Sequence, residues 1–491
     1  MAGELKWRYC SSVLVIVMVL LVKCIYGSRD GQLSAYLREV FLDESGIALN
    51  QMVVSNESGT DYVYIGGVST LYQLDLNLAL LQQESTVPSD QTSCENTECL
   101  YETKILEVAP APIGKLVQCG GPEGKCEIRN LMTIAREFGY VNISLVNEGM
   151  SVAVLEITES QPLEIFIYVA TSIDSNNPGR VHSPITQFEV IQQLNILVPI
   201  RIENIREIAA IDSTVEYIQA IPWTIYNFFI VHSGSEHRRL GRLCSENLQD
   251  GLNAYSEIIL SCQSYSILQS AYIDSNDVLY GVFTDGTHSA LCSYAMTDIQ
   301  ERFVDTTCGC VISDDPSCSG TAISYLTTDA ICSPSPNTNQ SRESIEANYQ
   351  CGDDEQMLLF SYAQATSSLE GNLLGEALPG EDSSIITLQK ENTTVALVTT
   401  SSTSNTTLSK IHVFPDHTGR LYETVNLEVI GSVLTDVYIN QETEELFTLT
   451  TKEVLKLAVV NCSQYKTFAG CIGLNHDGGD PFCGWCTLEQ R

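Results

Sequence analysis

Short runs of β-branched and aromatic residues recur along the chain between clusters of Gly, Asn, Asp and Ser. Such runs, bounded by turn-forming residues, indicate β-strands rather than helices. Helical periodicity is nearly absent beyond the N-terminal apolar segment. The pattern therefore predicts an all-β protein.

Three segments repeat one order of elements, which is strand, polar turn, strand with a central Tyr or Phe, turn and strand. They begin at Asp61, Ser270 and Asp436. Weaker copies lie at 116–131, 165–192, 216–243 and 394–414. About seven such units over residues 28–460 give roughly sixty residues per unit, slightly more than in common propeller repeats.

The repeat favours one architecture over another. A four-stranded sheet of short strands cannot bury both faces alone, whereas radial stacking against two neighbours covers both. A seven-bladed β-propeller is therefore the predicted fold. Two or three β-sandwiches in tandem are the alternative, since they also contain many short strands. No Pro-rich or charged linker separates such units.

The N-terminal segment has the pattern of a secretory signal. Basic residues precede an apolar run over 13–22, and the small residues Gly27 and Ser28 follow it. A membrane anchor needs about twenty apolar residues, roughly twice this run. We therefore predict a signal peptide over residues 1–27, cleaved after Gly27. No later stretch is long and apolar enough to predict a membrane span.

Charge and cysteine content point to the same compartment. The 491 residues include 61 acidic and 25 basic side chains, a formal charge of -36. This charge opposes binding to nucleic acid or to anionic lipid. Eighteen cysteines are typical of an oxidising compartment, where they pair as disulfides. The chain is thus predicted to enter the secretory pathway and to be extracellular.

Six Asn-x-Ser/Thr sequons fit the surface of a secreted glycoprotein. The weakest begins at Asn461, because its middle residue is Cys462. We predict N-glycosylation at the other five asparagines, which are Asn56, Asn142, Asn339, Asn392 and Asn405. Two polar stretches, 333–344 and 399–409, are predicted to be mobile loops.

The cysteines divide the chain into two parts. Twelve lie between Cys94 and Cys351, and four crowd the last thirty residues. This tail is too short to fold by hydrophobic burial alone and depends on disulfides. The predicted domains are a large β-domain over 28–460 and part of a small disulfide-rich module over 461–491.

Motifs in both parts resemble those of one receptor family. The large domain contains, in order, "YVYIGGVSTLYQLDLNLALLQ", "KLVQCGGPEGKCEIRNL", "RRLGRLCSEN", "YGVFTDGTHSALCSY" and "GRLYETVNLEV". Together they resemble the sema domain of plexins across essentially the whole mature chain. The tail "NCSQYKTFAGCIGLNHDGGDPFCGWCTLEQR" resembles the first half of a PSI module. Its "CGWC" after "DPF" favours plexins over semaphorins.

The resemblance implies a function. Plexins are single-pass receptors of the plasma membrane that bind semaphorins in cell guidance and adhesion. Their sema propeller is followed by PSI and immunoglobulin-like modules, a membrane span and a cytoplasmic GTPase-activating region. The chain is then expected to be the ligand-binding part of such a receptor, with a semaphorin as partner and a co-receptor as a further one. A secreted semaphorin-like ligand or a soluble decoy is the alternative.

The resemblance also implies disulfide pairs. In the large domain these are Cys94–Cys99, Cys119–Cys126, Cys262–Cys292, Cys308–Cys332 and Cys244–Cys351. Cys310 and Cys318 fall outside the family set and are expected to form an additional bridge. In the tail, Cys462 is expected to pair with Cys483. Cys471 and Cys486 are expected to need partners beyond Arg491. Sequence alone leaves other pairings open between Cys308 and Cys332.

Plexins dock their ligands on the side and rim of the third and fourth blades, which the resemblance places at about 150–265. Arg238, Arg239 and Arg242 interrupt the acidic background there and are candidates to meet carboxylates of the ligand. The alternative is a solvated hairpin whose basic residues balance local repulsion.

No motif supports catalysis. "CGWC" has the C-x-x-C spacing of thiol-disulfide oxidoreductases, but no α/β pattern surrounds Cys483. An extracellular oxidoreductase that uses Cys483 and Cys486 is thus a remote alternative. The seven histidines form no HExxH or paired metal spacing. We therefore predict no enzyme activity, no cofactor and no metal site.

Overall fold

The computed structural model describes residues 36–465 and 479–483, apart from internal segments. The segments left out are 44–46, 56–60, 88–100, 110–113, 122–123, 139–150, 158–164, 173–184, 192–195, 202–214, 235, 245–254, 312–317, 319, 324–341, 343–344, 346–362, 404 and 430. The predicted signal peptide and all of the predicted loop at 333–344 except Arg342 lie outside the described residues. Among the described residues, no helix has the length and apolar character needed to span a membrane.

The chain enters through a strand of the last blade and then builds the first three blades in order. The entering strand is β1 (Leu37–Leu42). Blade 1 contains β2 (Leu49–Ser55), β3 (Tyr62–Gly67), β4 (Thr70–Asp75) and β5 (Leu80–Ser85). Blade 2 contains β6 (Thr103–Ala109), β7 (Lys115–Gly120), β8 (Lys125–Asn130) and β9 (Arg136–Phe138). Blade 3 contains β10 (Ser151–Ile157), β11 (Ile165–Thr171), β12 (Ile185–Ile191) and β13 (Ile196–Arg201).

Blades 4 and 5 share one continuous sheet. Blade 4 contains β14 (Val215–Trp223), β15 (Tyr226–Ser233), β16 (Glu236–Cys244) and β17 (Ser256–Ser261). Blade 5 begins with β18 (Ile267–Ile273), β19 (Val278–Thr284) and β20 (His288–Ala295). An insertion follows, with helix α1 (Met296–Val311), β21 (Gly320–Ala322) and β22 (Ala363–Glu370), and β23 (Asn372–Pro379) then completes the blade. β22 pairs in parallel with β17 and widens blade 4.

The last two blades complete the described fold. Blade 6 contains β24 (Asp382–Lys390), β25 (Thr393–Ser401), β26 (Thr406–Val413) and β27 (Gly419–Asn426). Blade 7 contains β28 (Val433–Asn440), β29 (Glu445–Thr450) and β30 (Glu453–Ala458), with β1 at its outer edge. A short 3-10 helix, Cys462–Gln464, follows blade 7.

The first strand of each blade packs against the first strand of the next. These inner strands are β2, β6, β10, β14, β18, β24 and β28, and β28 packs against β2. The sheets therefore close into a seven-bladed propeller, as the repeat predicts, and are not tandem sandwiches. Each of the seven repeats seen in the sequence falls in a different blade.

The apolar core lies largely between blades. Between blades 7 and 1, Phe41, Leu49 and Tyr72 pack with Phe447 and Leu449. The Phe41 and Tyr72 rings meet edge to face, with centroids 5.2 Å apart. Because both faces of an inner sheet are covered in this way, each blade needs both neighbours for its burial.

The ring closes through the chain ends. β1 pairs antiparallel with β30, so that Leu37 lies opposite Leu457 and Leu42 opposite Glu453. The fourth strand of blade 7 thus comes from the N-terminal end of the fold. Strand pairing within one blade therefore holds the first and last blades together.

A buried lysine reinforces this closure. The Lys410 side chain has no exposed surface, and its Nζ donates to Glu423 Oε2 at 2.8 Å and to the Val459 carbonyl at 2.6 Å. It also lies 3.9 Å from the centroid of the Tyr36 ring. Burial lowers the pKa of Lys410, while the Glu423 and Asp480 carboxylates favour its charged form. Lys410 of blade 6 therefore contacts the residues just before β1 and just after β30. It also interacts electrostatically with Asp480 of the tail.

Two features differ from the sequence-based expectations. The 16-residue helix α1 buries Met296, Ile299 and Phe303 against blades 4 and 5, although helical periodicity was expected to be nearly absent. The predicted loop at 399–409 is instead mostly strand, with the turn limited to about 402–405. Its Thr400 and Thr407 hydroxyls lie 3.0 Å apart in the buried part of blade 6. That mutual hydrogen bond allows Thr residues to occupy buried strand positions.

Phe41→Ala is expected to reduce the free energy of unfolding by about 3–4 kcal/mol, because it leaves a cavity where blades 7 and 1 meet. Leu42→Ala on the same strand is the control, since Leu42 is 41% exposed and should cost less than about 1 kcal/mol. Chemical denaturation of both variants checks this. Equal losses would contradict the importance of the Phe41 contact for closure.

Candidate functional site

Blade 4 carries the arginines predicted to bind a ligand. Arg238 and Arg239 follow the turn between β15 and β16. Arg238 Nε donates to Glu236 Oε1 at 2.9 Å, and Arg239 Nη1 lies 3.4 Å from Glu257 Oε2. The side chain of Arg238 is 27% exposed and that of Arg239 is 11% exposed, whereas that of Glu257 has no exposed surface. Arg238 is thus the member of this pair whose charge reaches solvent.

Arg242 does not lie on that surface, so its predicted role in the interface is wrong. The residue is 1% exposed, and its guanidinium carbon lies 4.6 Å from the Tyr226 ring centroid and 4.4 Å from that of Phe303. Its Nη1 donates to Gln300 Oε1 at 2.5 Å. Burial lowers the pKa of Arg242 to about 10, so it remains cationic at neutral pH. Arg242 joins blade 4 to helix α1.

A cavity of about 500 Å³ lies on the propeller axis, lined by the inner strands of all seven blades. The charged residues among its described lining residues are Glu107 of β6, Asp382 of β24 and Asp436 of β28. No Lys, Arg or His belongs to that described lining. Sequence reasoning missed these carboxylates, because they stand far apart in the chain and converge only when the ring closes.

Two of these carboxylates, Glu107 and Asp436, repel each other electrostatically. Asp436 Oδ2 accepts a hydrogen bond of 2.6 Å from the Met52 N–H of β2, the inner strand between β28 and β6. Burial, with repulsion from Asp436, raises the pKa of Glu107 to about 8. Burial raises the pKa of Asp436 to about 6, although the Met52 N–H opposes this shift. Both side chains are half-buried and line the cavity.

In the described part of the chain, the axial cavity included, no three His, Cys, Asp or Glu residues converge as metal ligands would.

Comparison with known proteins agrees with this architecture. Residues 262–431 match the family model described as the Sema domain. Mus musculus Plexin-A4 is 24% identical over 529 aligned positions, which cover 92% of this chain and 26% of Plexin-A4. Mus musculus Plexin-B3 is 22% identical over 477 positions, which cover 90% and 24%. The chain is plexin-like. It spans about a quarter of the length of these plexins.

Solved structures share the fold of the plexin-like chain. The full extracellular region of Plexin A4 matches with a TM-score of 0.71 at 21% identity, over 92% of this chain and 49% of that one. Drosophila Semaphorin 2a matches with a TM-score of 0.61 at 14% identity, over 92% and 79%. Drosophila Plexin A in complex with Semaphorin 1b matches with a TM-score of 0.55 at 14% identity, over 92% of each chain. At these identities the likeness shows the fold.

Three disulfides of the plexin-like chain are the pairs that its motifs imply. They are Cys119–Cys126, Cys262–Cys292 and Cys462–Cys483, with Cα atoms 3.9, 5.9 and 5.4 Å apart. Cys119 lies directly opposite Cys126 in the β7–β8 pairing. The first bridge therefore joins two neighbouring strands of blade 2.

The pairing around helix α1 differs from the expected one. Cys308 is bonded to Cys318, which corrects the expected pairs Cys308–Cys332 and Cys310–Cys318. Cys308 lies in the last turns of α1, and the chain after the helix brings Cys318 back to it, with the Cα atoms 5.2 Å apart. Cys244 and Cys310 are also disulfide-bonded. The predicted partners or thiols at Cys94, Cys99, Cys332, Cys351, Cys471 and Cys486 lie outside the described residues.

Two predicted glycosylation sites lie at opposite ends of blade 6. Asn392 is exposed in the turn between β24 and β25, and Asn405 is exposed just before β26. Asn461 is half-buried beside the tail. The other predicted sites, Asn56, Asn142 and Asn339, lie outside the described residues.

Arg242→Ala is expected to lower the free energy of unfolding by about 3 kcal/mol, since it removes two cation–π contacts and leaves a cavity. Arg238→Ala should cost less than about 1 kcal/mol, as expected for a partly exposed ion pair. Chemical denaturation followed by tryptophan fluorescence measures both losses. A small effect of Arg242→Ala would show that its burial is not needed for stability.

Glu107→Gln is expected to flatten the dependence of stability on pH. The folded state binds a proton at Glu107 more tightly than the unfolded state does, so this group destabilises the fold as pH rises from about 4.5 to about 8. For one proton the slope is at most about 1.4 kcal/mol per pH unit. Glu376→Gln, at an exposed position of β23, is the control and should leave the slope unchanged. Chemical denaturation from pH 5 to 8.5 tests this, and an unchanged slope in Glu107→Gln would refute the assignment.

Proposed function

We propose that the chain is the extracellular, ligand-binding part of a plexin-like cell-surface receptor that binds a semaphorin through its propeller. The supporting observation is that the plexin likeness extends over more than nine-tenths of this chain and corresponds to the extracellular region of Plexin A4. A further support is that a related fold occurs in Drosophila Plexin A bound to Semaphorin 1b. Such a receptor spans the membrane once and signals through a cytoplasmic region.

The proposed binding surface is the rim of blades 3 and 4, within about residues 150–265. Arg238 offers a solvent-reaching guanidinium there, beside the β15–β16 turn. Arg239 sits behind it, where its ion pair with buried Glu257 holds the strand position. A carboxylate of the ligand that replaces Glu236 at Arg238 would gain a charge-assisted hydrogen bond.

Blade 6 suits protein contact less well. Its exposed asparagines, Asn392 and Asn405, lie at the two ends of its strands. Glycans at both positions would cover both ends of that blade, since a glycan is bulky and solvated. Blade 4, two blades away from blade 6, contains none of the predicted glycosylation sites, which leaves its surface more accessible to a protein ligand.

We propose that this part of the protein is not an enzyme. Cys483, the first cysteine of "CGWC", is bonded to Cys462. A thiol-disulfide oxidoreductase of the C-x-x-C type instead cycles a bond between its own two cysteines. The Cys462–Cys483 disulfide therefore closes the tail on itself.

Binding of the full chain to a panel of semaphorin ectodomains from the same source is the decisive experiment. At least one semaphorin should bind, and Arg238→Ala should weaken that complex about fivefold, mainly through a slower association rate. The effect should diminish as salt is raised from low to physiological concentration. Arg38→Ala, an exposed arginine on β1 of blade 7, is the matched control and should bind normally.

Two results would count against the proposal. If no semaphorin of the panel binds the unchanged chain, the receptor assignment fails. If a semaphorin binds and Arg238→Ala is indistinguishable from Arg38→Ala, the Arg238 rim is not part of the interface.

A further inference from the structure

A second surface of blade 4 lies at the end of its strands opposite to the Arg238 rim. It is a groove of about 720 Å³ between the β14–β15 turn, the β18–β19 turn and helix α1. A volume of this size accommodates a few side chains of a bound segment. Since β15 has eight residues, about 25 Å of strand separates the groove from the rim.

The blade 4 wall of the groove is aromatic and rigid. The Trp223 and Tyr226 rings stack with centroids 6.3 Å apart and planes 16° apart. Trp223 Nε1 donates to Asp277 Oδ1 at 2.9 Å, which ties the turns of blades 4 and 5 together. Behind Tyr226 lies the buried Arg242 guanidinium. The wall is therefore preorganised for contact with an apolar side chain.

The turn beside this wall holds an apolar residue outward. Thr224 has a φ of 50°, in the left-handed region that disfavours β-branched residues. The next residue, Ile225, lines the groove and is 36% exposed. Because the strained turn holds Ile225 outward, a partner that covers this side chain removes apolar surface from water. That burial lowers the free energy of the complex.

Helix α1 forms the other wall of the groove, where apolar side chains lie beside an acidic one. Met296 and Val304 line the groove, and Glu301 stands at its rim with its side chain 64% exposed. Asp277, in the β18–β19 turn, also lines the groove and is exposed. Arg342 also borders the groove, but it is engaged by Asp305 at 2.8 Å as well as by Glu301 at 3.2 Å.

We propose that this groove binds an extended basic segment of another protein. An aliphatic or aromatic side chain of that segment packs on Trp223 and Ile225, and a neighbouring Lys or Arg lies between Asp277 and Glu301. Charge complementarity favours this occupant over a second copy of the chain, because the chain has 61 acidic and only 25 basic residues. The site goes beyond semaphorin binding, and its distance from the Arg238 rim allows both surfaces to be occupied together.

Selection from a random peptide library tests the proposal, because it requires only the predicted chemistry of the partner. A displayed library of random dodecapeptides is panned against the full chain, and enriched peptides are synthesised and titrated against the unchanged chain and its variants. Enriched sequences should combine Lys or Arg with an aromatic or aliphatic residue. Ile225→Lys should weaken their binding at least tenfold, because it removes the apolar contact and adds a like charge.

Matched variants separate the groove from general effects. Leu421→Lys changes an apolar residue of blade 6 that is 44% exposed and should bind normally. The double variant Asp277→Asn with Glu301→Gln retains an acceptor for Trp223 but loses both charges, so its binding should be weaker and less dependent on salt. Arg238→Ala should retain peptide binding, which keeps this test distinct from the semaphorin test.

Several results would overturn the proposal. Enrichment of acidic or uncharged peptides, failure to enrich any peptide that prefers the unchanged chain, or equal binding to Ile225→Lys would each do so. Concentration-dependent dimers seen by analytical ultracentrifugation and abolished by Ile225→Lys would assign the groove to a second copy instead. Flotation of the unchanged chain, but not of Ile225→Lys, with phosphatidylcholine vesicles would assign it to lipid.

Discussion

The pairing of β1 with β30 is the constraint on which the rest of the fold depends. Without β1, blade 7 would lack its outer strand, and Phe41 would be absent from the apolar contact between blades 7 and 1. Each blade buries its two sheet faces against its two neighbours. An open ring would therefore expose one apolar sheet face on each side of the gap. The Lys410 ammonium strengthens the closure, because it contacts Tyr36 before β1 and the Val459 carbonyl after β30. A charge so deeply buried is tolerated since Glu423 pairs with it and further acceptors surround it.

Closure also creates the axial cavity and its electrostatic cost. Inner strands leave one backbone edge toward the axis, and Asp436 satisfies part of that edge through the Met52 N–H. Glu107 enters the same cavity, where both carboxylates lose hydration and their pKa values rise. Stability is therefore lost at these carboxylates as pH rises, and the apolar burial between blades offsets that loss.

The arginines of blade 4 differ in burial, and this difference bears on both proposed surfaces. Arg238 reaches solvent at one end of the blade. Arg242, between the Tyr226 and Phe303 rings, fixes helix α1 against the other end. That contact forms one side of the acidic, apolar groove beside Trp223. A single buried cation therefore positions a binding surface in which it takes no direct part.

Local pattern in the sequence was sufficient to predict the strands and the seven repeats, because these depend on residues near one another in the chain. The pair Cys119–Cys126 was predicted from the resemblance to plexins and is confirmed. The tertiary structure alone decided which polar residues are buried. Arg242 shares a strand face with buried Leu240 and Cys244, but only Phe303 and Gln300 from α1 provide the contacts that bury its charge. The polar residues Thr400 and Thr407 lie in a stretch that the sequence predicts to be a loop. In the structure they occupy paired strands, where their hydroxyls are hydrogen-bonded to each other. The Cys308–Cys318 bond and the Glu107–Asp436 pair likewise follow from how the chain returns on itself. The burial of a side chain and the interaction between two charges depend on residues from distant segments of the chain. Those residues come into contact only when the ring closes.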